Sequence, residues 1–142
     1  MIRQVSVFLE NREGRLFELT SLLVENGIDL RSFSVADTKD FGVLRLVVSE
    51  PDKAFEILKN AGYSVRFTDV VAVAISDRPG GFAHVLGILH KNKLNVEYMY
   101  TLVSTRNGEA LLAIWFDDGV QAEKILKRER VVVLDKAAVL TR

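Results

Sequence analysis

The chain repeats itself. Adding 66 to each residue number carries Val5 onto Val71, Val7 onto Val73, Arg12 onto Arg78, Gly14 onto Gly80, Leu23 onto Leu89 and Asn26 onto Asn92. Between these identities chemical class is kept: Leu9 meets Ile75, Asn11 meets Asp77, Leu16 meets Phe82, Leu19 meets Val85, Ile28 meets Leu94, Asp29 meets Asn95 and Leu30 meets Val96. The register holds without a gap for about forty residues, long enough to mark a duplicated unit. The offset then becomes 68, with Leu44 on Leu112, Leu46 on Ile114, Ala54 on Ala122 and Ile57-Leu58-Lys59 on Ile125-Leu126-Lys127. The two extra residues fall in the turn-rich stretch Ser104-Thr105-Arg106-Asn107-Gly108, where insertions are tolerated. A length of 142 residues would fit one ordinary domain, and the repeat divides it instead into two small ones, 1–68 and 69–142.

Within one copy the apolar spacing changes in a definite order. Val5, Val7 and Leu9 alternate with Ser6, Phe8 and Glu10, the period of a strand. Asn11-Arg12-Glu13-Gly14 is a turn, and Leu16, Leu19, Thr20 and Leu23 form one stripe of a helix closed by Asn26-Gly27. Ile28 to Val35 reads as a second strand, joined by a polar turn at Asp37 to Asp40 to a third at Val43 to Val48. Pro51 suits a first helical turn, Ala54, Ile57, Leu58 and Ala61 supply a second stripe, Gly62 ends it, and Tyr63 to Phe67 makes a fourth strand. The order β-α-β-β-α-β is the split βαβ pattern of a ferredoxin-like α+β fold, with two helices covering one face of a four-stranded antiparallel sheet. The second copy gives strands at Val70 to Ile75, Leu94 to Leu102, Ala110 to Phe116 and Val131 to Leu134, with helices over Phe82 to His90 and Val120 to Lys127. Ala138-Val139-Leu140 aligns with Val70-Val71-Ala72, so the tail is expected to add a short extra strand on a sheet edge, or to fray.

A single core of about 68 residues is marginal, and Phe8, Val43 and Val47 fall on the sheet face opposite the helices, so pairing of copies or a homodimer is expected. Nineteen Lys plus Arg balance nineteen Asp plus Glu, and a chain with no net charge and no basic block is poorly suited to hold a phosphate backbone. Zero cysteines exclude disulfide scaffolds, thiol nucleophiles and iron–sulfur clusters. No apolar run approaches the roughly 20 residues of a membrane span, and Met1-Ile2-Arg3-Gln4 lacks the basic-then-apolar signature of a signal peptide, so no membrane partner and a cytoplasmic location are expected.

Catalytic machinery is not visible. The two histidines, His84 and His90, are six apart on one predicted helix, not the four of a metal-ligand pair, and His84 reads as a solvated surface residue. Asp40-Phe41-Gly42 spells the kinase magnesium tripeptide without any of its companions. Gly80-Gly81 is no phosphate-binding fingerprint, and neither a metal nor a cofactor is expected.

What recurs is a short polar side chain three positions before a glycine, directly ahead of a helix: Asn11 before Gly14, Asp77 before Gly80. A helix start carries unpaired N–H groups and the positive end of the macrodipole, which suit a carboxylate. Asn11 or Asp77, joined by Asp29 or Asn95 at the start of the next strand, could accept hydrogen bonds from an ammonium group. The set suits the zwitterionic end of a free amino acid, and a plain turn stabilised by its Asx residue fits the same residues equally well.

A strand ending in Asn/Asp-x-x-Gly, a Leu-rich helix ending in Asn26-Gly27-Ile28-Asp29-Leu30 or Asn92-Lys93-Leu94-Asn95-Val96, and the hairpin after it resemble the ACT domain, a small-molecule-sensing module, twice over the whole chain. Asp77-Arg78-Pro79-Gly80 is the nearer match to the family's turn, since the first copy has Glu13 where proline is common. The resemblance implies an amino acid bound between paired domains at the first strand-to-helix loop and the start of the second strand. That nominates Asn11, Gly14, Arg15 and Leu16 with Asp29 and Leu30, and Asp77, Gly80, Gly81 and Phe82 with Asn95 and Val96. Phe33, Tyr98 and Tyr100 are candidates for a side-chain pocket. ACT domains are commonly fused to a biosynthetic enzyme or a DNA-binding domain, and this sequence resembles stand-alone tandem ACT proteins, so the effector, an enzyme or a regulator, is expected to be a separate polypeptide. The competing readings are an RNA-binding module using Phe8 and Trp115 as stacking surfaces, and a structural dimer without a ligand.

Overall fold

Alternation along the first strand decides where the core lies. A computed structural model, which describes residues 1–37 and 40–141, has β1 at Ile2–Glu10 with Val5, Val7 and Leu9 buried and Phe8 on the other face, 52% exposed. The elements that follow are α1 (Arg15–Glu25), β2 (Leu30–Asp37), β3 (Phe41–Val48), α2 (Pro51–Asn60) and β4 (Ser64–Ser76). After these come α3 (Gly81–Lys91), β5 (Val96–Leu102), β6 (Glu109–Phe116), α4 (Gly119–Arg128), β7 (Val132–Leu134) and α5 (Lys136–Thr141). Two compact units result, Arg3–Thr68 and Met1–Ile2 with Asp69–Arg142.

In the unit Arg3–Thr68 the strand order is β2-β3-β1-β4, with β1 and β2 both antiparallel to β3. The register sets Val5 opposite Leu46 and Val7 opposite Leu44, and these four pack with Leu19 and Leu23 of α1 and with Ala54 and Leu58 of α2. Each leucine fully removed from water contributes about 1.5–3 kcal/mol, so this layer is the main stabilising term of the unit. Residues 38 and 39 of the expected turn at Asp37 to Asp40 lie outside the described residues.

The second unit has the order β7-β4-β6-β5, again antiparallel, with Val71 opposite Ile114 and Val73 opposite Leu112. Val85 and Leu89 of α3 and Ala122 and Leu126 of α4 close its core. The side chain of Asp118 caps α4 by accepting a hydrogen bond from the Gln121 N–H at 3.0 Å. The fold is α+β and ferredoxin-like in both copies.

Three expectations are corrected. The fourth strand of the first copy and the opening strand of the second are one element, β4, thirteen residues long: Phe67-Thr68-Asp69-Val70 contains no glycine or proline to end it. The tail is a helix and not a strand. Asp135 accepts a hydrogen bond from the Ala138 N–H at 2.8 Å, which starts α5, and Val139 is buried. Val47, expected on an open face, is 4% exposed, whereas Phe8 is solvent-facing and tilts against Phe41 at 5.3 Å.

Candidate functional site

Both copies build the loop between their first strand and first helix in the same way. Gly14 and Gly80 precede their helices at φ 86, a left-handed conformation that a side chain would strain, and no side chain caps either helix. The Asn11 N–H donates to the Asp40 carbonyl at 2.9 Å, and the Asp77 N–H to the Gly108 carbonyl at 2.9 Å, which pins each polar residue beside the following hairpin. Gly81 has a second reason to be glycine: a Cβ there would overlap the Ser76 carbonyl oxygen at the end of β4.

Around the second loop lie two cavities. One, of about 430 Å³, is lined by Asp77, Arg78 and Phe82 with Met99, Tyr100 and Thr101 of β5. The other, of about 660 Å³, lies between the same loop, the first turn of α3 and the residues leading into β7. Asp77 and Phe82 thus share one cavity, while Gly80 and Gly81 line the other. Asn95 and Val96 line neither. The Asn95 side chain donates to Glu97 at 3.4 Å, and Val96 packs on the core.

In the first copy the Arg15 guanidinium lies over the Tyr63 ring, 4.9 Å from its centroid, and pairs with Glu18 at 3.1 Å. Leu16 is 43% exposed, the Asp29 carboxylate lies 3.5 Å from Arg31, and Leu30 packs against the core. Phe33 is 65% exposed on β2. Tyr98 tilts against Trp115 at 5.4 Å and stacks with Tyr100 at 6.5 Å. Met99, Thr101, Arg130 and Val131 also line these cavities, without a motif of their own in the sequence. A trace of the last two was present, since Gly62 and Tyr63 become Arg130 and Val131 between the copies.

The electrostatics give no acid–base pair. Glu97 is raised above the ordinary carboxylate range by a hydrogen bond with Asp117 and by that group's charge. Glu123 is lowered by the N-terminal ammonium, 2.9 Å away, and by Lys127. Neither lines a cavity described above. Among the described residues no cluster of His, Asp and Glu could hold a metal ion, and no helix is long and apolar enough to cross a membrane.

The sequence matches a family model described as an ACT domain pair over residues 1–140. Protein BT0572 from Bacteroides thetaiotaomicron is similar in structure, with a TM-score of 0.91 and 37% identity over 97% of this chain and 94% of that one. The ligand-free regulatory subunit of aspartate kinase from Thermus thermophilus gives a TM-score of 0.65 at 14% identity, covering 89% of this chain and 91% of that one. The corresponding subunit from Thermus flavus gives 0.63 at 16%, covering 88% of each; at these identities both show a shared fold alone. No curated protein sequence matches. With a family model spanning nearly every residue, a relative that shares more than a third of its sequence, and the same loop built twice, the chain belongs to the ACT domain pair family.

Proposed function

We propose that the chain is a non-catalytic regulatory protein that binds a free amino acid at the loop before α3, with a second copy of the chain completing the site and a separate enzyme or regulator reading the result. The cavity of about 430 Å³ carries this reading, because it sets one carboxylate, Asp77, and one guanidinium, Arg78, against an apolar wall of Phe82 and Met99. Asp77 would accept from the ligand's ammonium group. Arg78 and the start of α3 would meet its carboxylate, and the wall would take its side chain. The first copy's Asn11, Gly14 and Leu16 would offer a related but uncharged version at Asn11. The resemblance of the fold to aspartate kinase regulatory subunits supports a regulatory role.

Dimerisation draws support from β2, an edge strand carrying Phe33 at 65% and Val35 at 45% exposure, with Phe17 of α1 at 76%. Apolar groups on an unpaired edge are normally covered. An RNA-binding role is disfavoured, since the aromatic cluster of Tyr98, Tyr100 and Trp115 has the acidic residues Glu97 and Asp117 as its neighbours in the chain.

A thermal-shift and calorimetric screen of the twenty amino acids tests the proposal. One or a few should stabilise the protein, and Asp77→Ala should abolish that response while the protein stays folded. A flat response to all twenty from folded protein would sink it.

A further inference from the structure

The larger cavity carries a charge pattern of which the amino-acid reading uses only Arg78. Arg78, His84 and Arg130 line it, Val85 and Val131 give it an apolar wall, and no carboxylate is among its lining residues. Among the described residues none of these three basic side chains has an ion pair or a hydrogen-bond partner.

The first copy shows how the corresponding positions look when their charge is satisfied internally. Arg15 stands where the second copy has Gly81, Glu18 where it has His84, Gly62 where it has Arg130, and Tyr63 where it has Val131. There the Arg15 guanidinium rests on the Tyr63 ring and pairs with Glu18. The second copy lacks the spanning arginine, the ring beneath it and the acid, and places basic groups around the space instead. Arg130 also adopts φ 63, where Gly62 has φ 92. A residue with a Cβ is held there against its backbone preference.

The geometry points to an anion-binding site in this cavity, for a small molecule bearing a phosphate group. Two guanidinium forks match phosphate oxygens, the His84 ring adds an N–H donor, and the N-terminus of α3 supplies partial positive charge from the same side. About 660 Å³ exceeds what a bare phosphate fills, and Val85 and Val131 can take an organic remainder. The absence of a carboxylate in the lining separates this site from one for an ammonium-bearing ligand. Arg78 lines both cavities, so occupation of one changes the affinity of the other, and that coupling is reciprocal. The site stands on its own cavity and does not rest on the amino-acid reading.

Isothermal titration of the whole protein with inorganic phosphate, pyrophosphate and glycerol phosphate, at ionic strength held constant with chloride, tests it. At least one of the three should bind. The double variant His84→Glu with Arg130→Gly, which takes the residues that the first copy carries at those places, should fold and bind that probe at least tenfold more weakly, while Lys124→Gln, which removes an exposed positive charge outside both cavities, should bind it as the parent does. Absence of binding by all three probes, or unchanged affinity in the folded double variant, overturns the site. So does an equal loss of phosphate binding in Lys124→Gln, which would mark the effect as one of overall charge and not of this cavity. An amino-acid screen that stays flat leaves a positive phosphate result standing, so the two readings fail separately.

Discussion

The same substitution at two places in α3 should change stability in opposite directions. Gly81 opens the helix, and a Cβ added there overlaps the carbonyl oxygen of Ser76, a backbone atom at the end of a strand paired with Glu109. No flexible side chain can yield, so the helix start or the strand end must move, at a cost of about 1–3 kcal/mol for overpacking of this kind. Arg15 occupies the matching place in the first copy, so there the helix start must stand further from its strand. Gly87 lies six residues on, exposed, with nothing within 4 Å of an added Cβ. Gly87→Ala should therefore gain about 0.5–1 kcal/mol from reduced backbone freedom of the unfolded chain. Urea unfolding followed by the fluorescence of Trp115, the chain's one tryptophan, reports on the unit that contains α3. With an m-value of about 1–3 kcal/mol per molar, the two variants should differ in midpoint by on the order of 1 M, with Gly81→Ala below the parent and Gly87→Ala above it. Equal midpoints, or Gly81→Ala as stable as the parent, would refute the close approach of α3 to β4.

Gly80→Ala and Gly14→Ala should each lose about 1–2 kcal/mol, the cost of a side chain in the left-handed region, and matched losses in thermal or urea melts would check that the two loops are equivalent. Asp118→Ala removes the cap of α4 and should cost about 1 kcal/mol, with Asp118→Asn recovering most of it. Glu97 is raised in the folded protein by Asp117, so its protonated form adds stability below the ordinary carboxylate range, and that contribution is lost as pH rises through the folded value. Glu97→Gln should accordingly be more stable than the parent at neutral pH and lose that advantage in acid, and urea midpoints that stay parallel from acid to neutral pH would contradict the pairing.

Features that depend on local chain chemistry were legible in the sequence. The turn glycines, the helix stripes and the alternation of Val5, Val7 and Leu9 each follow from a few neighbouring residues, and the duplication gave every one of them a second witness. Boundaries that depend on what is absent were harder to read. The run from Arg66 to Val70 holds no breaker, yet a repeat invites a gap there, and β4 passes straight through. The three apolar residues of the tail suit a strand as well as a helix, and the capping oxygen of Asp135 decides for the helix. Asp77 and Phe82 could be nominated from their loop, but their neighbours Met99 and Thr101 meet them only through the pairing of β5 with β6. The larger cavity needed two distant changes at once, Arg15 to Gly81 and Tyr63 to Val131, and no one-dimensional reading places those side by side.

The unbroken strand bears on how the two copies can be handled. A cut between Thr68 and Asp69, the point where the repeat invites one, falls inside β4 and would leave five of its residues on one fragment and eight on the other. Ile2, buried at the start of β1, groups with the later unit although its strand belongs to the earlier one. The fragment 1–68 would keep every residue of its unit, whereas 69–142 would lose Met1 and Ile2. Limited proteolysis should spare this junction, because it lies inside a strand. Two modules that look separable on paper share a splice in the backbone.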